Sequence, residues 1–110
     1  MDRYARQSVA LPPGESERLH QAEVRVGGKD LAAEVAALYL AGAGVRKLIV
    51  DPALAAKAQA QNAEVWVEAM ESAEERSFVE VAGTRKTDES AAPVLQGSRL
   101  ARWALARILS

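Results

Sequence analysis

The apolar positions of residues 22–51 change their period twice. Val24 and Val26 alternate with polar neighbours after Ala22 and stop at Gly27-Gly28, which predicts a strand ending in a tight turn. Leu31, Val35, Leu38 and Tyr39 then recur at helical spacing, and the alanines between them favour helix while adding little bulk. Gly42 and Gly44 close that helix, because glycine enters the left-handed region without a steric penalty. Leu48, Ile49 and Val50 form an apolar run ending at Asp51-Pro52, the pattern of a strand covered on both faces. Strand, helix and strand in this order predict two parallel strands joined by a right-handed crossover, the half-motif of nucleotide-binding folds.

The remaining pattern attaches to this unit. Residues 15–21 predict one or two helical turns anchored by Leu19, and residues 52–61 an alanine-rich helix. Residues 64–68 and 77–82 predict a third and a fourth strand, the second ending at Gly83. Residues 84–96 predict a polar loop, and 97–109 a last helix with Leu100, Trp103, Ala104 and Ile108 on its core side. Leu105 and Leu109 widen that stripe, so Trp103 and Leu105 are candidates for a subunit contact as well as for burial. Ser98 or Gly97 would cap this helix, and Arg99 and Arg102 face outward. The expected fold is α/β, one domain over residues 1–110. It is a three-layer Rossmann-like sandwich with a small, mostly parallel four-stranded sheet ordered 3-2-1-4, helices on both faces, and an N-terminal arm over 1–14. Its short crossovers leave room for one antiparallel edge strand.

Composition narrows the chemistry. With 49% hydrophobic and 26% charged residues the chain is an ordinary soluble one, and a net charge of −1 gives no electrostatic case for nucleic acid or an anionic membrane. No apolar run is long enough to span a bilayer and no signal-like segment follows the first residues, so a cytoplasmic location is expected. The absence of cysteine excludes disulfides, thiolate-bound zinc and a thioester intermediate, and His20 alone makes no histidine metal site. No metal is therefore expected.

Three segments carry a family resemblance. Arg3-Tyr4-Ala5-Arg6-Gln7, the helix end Ala37-Leu38-Tyr39-Leu40-Ala41-Gly42-Ala43-Gly44-Val45 with the strand that follows it, and Pro93-Val94-Leu95-Gln96-Gly97-Ser98 together resemble the ThiF/MoeB/HesA family. Its members are relatives of the ubiquitin-activating enzymes, which adenylate the C-terminus of a ubiquitin-like protein. The matched segments cover roughly half of the chain, and the family's central portion is largely missing. The resemblance implies that Arg6 reaches across a dimer interface to a partner's nucleotide phosphates. It also implies that Asp51 takes the place of the acid that binds the ribose. Read from the residues alone, Arg6 lies in a polar terminus and Asp51 is a turn aspartate before Pro52.

The glycine turn departs from the family. Nucleotide binding needs Gly-x-Gly-x-x-Gly after the first strand, and aligned without gaps this chain offers Gly28, Asp30 and Ala33 at those places. A carboxylate about 4 Å from a phosphate oxygen costs on the order of 4 kcal/mol at an effective dielectric near 20. Asp30 would also hold the helix N-terminus itself, as a cap. Lys29 offsets part of this, but the later asparagine, arginine and glutamine ligands of the family are absent from residues 52–61. Arg85 and Lys86 fall where the family's crossover loop contacts the carrier protein.

The expectation is a non-catalytic ThiF/MoeB-like protein without a cofactor. It would dimerise with itself or with a full-length homologue, with a ubiquitin-like carrier as a further partner. Two alternatives stand beside it: a minimal adenine-nucleotide-binding protein using ATP and magnesium, and a structural subunit of a larger assembly.

Overall fold

The computed structural model describes residues 15–71 and 76–109. The elements run α1 (Glu15–Gln21), β1 (Glu23–Gly27), α2 (Leu31–Ala43), β2 (Lys47–Val50), α3 (Pro52–Gln61), β3 (Trp66–Ala69), β4 (Phe78–Val81), β5 (Thr84–Lys86) and α4 (Pro93–Leu109). The sheet order is β3-β2-β1-β4-β5. The pairs β1–β2 and β2–β3 are parallel, while β1–β4 and β4–β5 are antiparallel.

The expected order of the first four strands and the α/β class hold. Three features are corrected. The sheet has five strands and is mixed, because Ala82 and Gly83, both with positive φ, make a two-residue hairpin turn that returns the chain as β5. The polar stretch 84–96 is therefore a strand, a six-residue loop and the first turn of α4, which begins at Pro93 rather than at Gly97. Proline suits the first turn of a helix, where its missing N–H is not needed. Ser98 accordingly does not cap α4; its hydroxyl donates to the carbonyls of Val94 and Leu95.

The layers also differ from the expected three. Both parallel crossovers step the same way, from β1 to β2 to β3, so right-handed connections put α2 and α3 over the same face. The link from β3 to β4 needs no crossover helix, since β4 is antiparallel and starts at the end of the sheet where β3 finishes. The four helices of the described residues share one core with Val24, Val26, Leu48, Val50, Val79 and Val81, which lie on one face of the sheet. Among the described residues no helix covers the other face, so they form two layers and not three.

The uncovered sheet face carries its own shielding. Register places Arg25 opposite Glu80, and Glu80 opposite Arg85. Lys47 and Glu68 form an ion pair at 2.9 Å, which raises the Lys47 pKa above its ordinary value. The Phe78 ring lies across Gly27, where an added Cβ would sit 1.9 Å from the ring, and the Arg85 guanidinium stacks 3.9 Å from its centroid. Phe78 is thus only 1% exposed on a face that otherwise carries charged side chains together with Ile49 and the exposed Trp66.

Helix α2 is the middle of the helical layer. It packs on β1 and β2 below, α3 on one side and α4 on the other. Its inner face is alanine: Ala32, Ala33, Ala36, Ala37 and Ala41 are buried together with Leu40. Small side chains let the neighbouring helices approach closely. At Gly97 of α4 a Cβ would fall 2.4 Å from the Ala32 carbonyl oxygen and 2.7 Å from Val35 Cβ. Asn62 ties the far end, donating to the Ala41 carbonyl at 2.9 Å while it caps α3.

Candidate functional site

In a nucleotide-binding α/β sheet, ligands sit beyond the C-terminal ends of the parallel strands, with phosphates against the first helix N-terminus. Here that place is the turn between β1 and α2. Gly28 has φ +93°, so the turn needs glycine for its backbone alone. Its bare Cα also faces a neighbour: a Cβ would lie 2.9 Å from Ser77 Oγ and 3.2 Å from Ser77 Cα. The room that a glycine turn offers to a phosphate is taken by Ser77.

Asp30 completes the closure. Its carboxylate accepts the Ala33 N–H at 3.0 Å as the N-cap of α2, and it also accepts the Ser77 hydroxyl. One anionic group of the chain therefore uses the positive end of the helix that a phosphate would use. The ends of the β3–β4 link are fastened at this edge of the sheet as well. Met70 N–H donates to the Val50 carbonyl at 2.7 Å, and Ser77 holds Asp30.

Asp51 is buried at the N-terminus of α3, where its carboxylate accepts the Ala53 N–H at 2.9 Å. It is a helix cap, with Pro52 in the first turn. Asp30 and Asp51 thus do the same local work at the ends of two neighbouring parallel strands. Lys57 pairs with Glu34 of α2 and so links the two helices.

The other predicted residues are not brought to this place. Arg6 lies outside the described residues. Arg85 covers Phe78 on the charged sheet face. Lys86 is exposed on the short edge strand β5, a position where charge discourages strand-to-strand association. Trp103 and Leu105 are partly buried against the core. Asp88, whose pKa is lowered by hydrogen bonds from Ser90, orders the loop before α4 with Gln96, which donates to its carbonyl at 2.8 Å.

A groove of about 800 Å³ lies at the opposite end of β1, lined among others by Arg18, Arg25, Glu23, Glu80 and Arg107. Arg18 donates to the Leu109 carbonyl and Arg107 to Thr84 Oγ1, each at 3.0 Å, so both fasten the end of α4. Among the described residues no cluster of histidine, aspartate and glutamate suits a metal ion.

Sequence reasoning missed Ser77. It reads as an ordinary strand residue, and only the antiparallel placement of β4 beside β1 brings it to the glycine turn. Comparison of the chain with family models, with curated proteins and with solved structures finds no match.

Proposed function

We propose that the chain is a non-catalytic protein-binding subunit built on a nucleotide-binding-like strand–helix–strand unit whose phosphate place has been closed from within. The observation that carries this reading is the capture of the Asp30 carboxylate by Ala33 N–H and the Ser77 hydroxyl. A triphosphate entering the turn would have to displace Ser77 and would meet a carboxylate in place of backbone donors. At an effective dielectric near 20 that encounter costs on the order of 4 kcal/mol, equivalent to roughly a thousandfold in affinity. Adenylation also needs several cations on the leaving pyrophosphate; Lys29 lies in the turn itself but next to the Asp30 carboxylate, Lys57 pairs with Glu34, and Arg85 stacks on Phe78 on the other side of the sheet.

The resemblance to ThiF/MoeB-like proteins supports the same reading, as a relative that has kept a scaffold and lost the chemistry. Calorimetric titration of the full chain with ATP and magnesium tests it. No binding is expected up to millimolar nucleotide. Micromolar binding that is lost in Asp51→Ala would show that the turn still seats an adenine nucleotide and would replace this reading by the enzymatic one.

A further inference from the structure

The helical spacing of Leu31, Val35, Leu38 and Tyr39 marks α2 as a helix, yet it is not the face that α2 buries. The alanines and Leu40 point inward, leaving the larger apolar side chains on the outer side. Leu31 is 48% exposed and Tyr39 45%, with Val35 and Leu38 half-buried between them. Helix α4 runs beside α2 in the same direction and continues the surface. Val94 and Leu95, in the turn before Gly97, which packs on Ala32 and Val35, are 57% and 49% exposed, and Leu105 follows further along. A helix that is apolar all round belongs in an interior, not at a water boundary. Of the thirteen residues of α2 only Glu34 is charged, and it is held by Lys57 at the rim.

We infer that the outer faces of α2 and α4 are an interface for a second copy of this chain. This rests on the protein-binding reading above and names its surface and partner. Three observations select a second copy. The α2 stripe is uncharged apart from Glu34 and the outer side of α4 carries the exposed Arg99 and Arg102, so a two-fold contact that lays α2 against the partner's α4 sets no like charges against each other. Glu34, paired with Lys57, is the one charge of α2 and Arg102 is exposed on α4, so a two-fold axis along the helices brings unlike charges of the two copies to the same side. The area also suits a dimer. Two helices about 20 Å long and about 10 Å across present roughly 600 Å² on their outer half. Two copies would bury about 1,200 Å², the lower end of the range for specific protein contacts. The other face of the sheet is more mixed: Trp66 is 61% exposed there beneath Lys47 and Ile49 is half-buried, but they stand among Arg25, Glu68, Glu80 and Arg85.

Sedimentation equilibrium of the full chain tests the inference. The wild type is expected to be a dimer at about 100 µM, well above the micromolar dissociation constant that such an area supports. Leu31 and Tyr39 are exposed, so Leu31→Glu with Tyr39→Glu, and Leu31→Lys with Tyr39→Lys, should both fold, as an unchanged circular dichroism spectrum would confirm. Each double variant alone should be monomeric, with dimerisation weakened at least a hundredfold. An equimolar mixture of the two should dimerise again, whichever way the helices cross. A wild-type monomer at about 100 µM overturns the inference, whether the stripe is then covered by residues 1–14 or by a different protein. A dimer that survives in the double variants overturns it too. Nucleotide titration of the same sample reads the preceding proposal separately, since ATP binding at the glycine turn would leave this association untouched.

Discussion

Ala82 holds a backbone conformation with φ +50° that costs an L-residue roughly 1 kcal/mol. The hairpin demands it: a two-residue turn between β4 and β5 needs positive φ at both central positions, and Asn-Gly meets that demand better than Ala-Gly. Ala82 is exposed, so nothing packed is lost by replacing it. Ala82→Asn is expected to stabilise the chain by about 0.5–1 kcal/mol, read as a higher urea midpoint at unchanged slope. Gly83→Ala is the opposing control; φ is +83° there, and although a Cβ would meet open space the strain alone should lower the midpoint. At this scale the sequence spoke unevenly. Asp30 as a helix cap follows from its place before an apolar-periodic run, and the structure agrees. Asp51 reads from its residues as a turn aspartate, with a ribose-binding role only through the family resemblance, and its hydrogen bond from Ala53 N–H shows it as a cap. Ser77 has no local signature at all, because its partner is 47 positions away.

The strand–helix–strand unit was legible because its period changes, glycine stops and apolar runs are local signals that agree with one another. The start of α4 was not. Gly97 reads as a boundary residue, yet it sits one turn inside the helix, where its missing side chain admits the Ala32 carbonyl and Val35. A glycine placed for close approach and a glycine placed to end a helix look alike in one sequence. The two roles predict opposite results for Gly97→Ala. Were Gly97 a boundary without contacts, alanine would add up to about 1 kcal/mol of helix propensity. Against α2, a Cβ 2.4 Å from a carbonyl oxygen forces two helices apart, and overpacking of that kind costs about 1–3 kcal/mol. Backbone cannot move aside as a flexible side chain does, so the clash wins. Gly97→Ala should lower stability by about 1–2 kcal/mol in urea titration.

Over the whole molecule, the number of layers was hidden because it depends on the direction of each crossover, which periodicity does not encode. Two steps in one direction and an antiparallel return gather every described helix on one face of the sheet. The helical layer then has an outer side of its own, and α2, in the middle of it, turns Leu31 and Tyr39 to that side. If this side meets a second copy, association is linked to folding, and above the dissociation constant stability must depend on concentration. At the midpoint, a tenfold rise in chain concentration contributes about 1.4 kcal/mol per dimer. Two chains of 110 residues unfold with an entropy of about 0.46 kcal/mol/K, at roughly 2.1 cal/mol/K per residue. The thermal midpoint of the wild type should therefore rise by about 3 °C for each tenfold increase in concentration, followed by circular dichroism in cells of different path length. The Leu31→Glu, Tyr39→Glu chain should melt at one temperature throughout, because its only folded species is the monomer. Parallel behaviour of the two would mean that the apolar side of α2 contributes nothing to association.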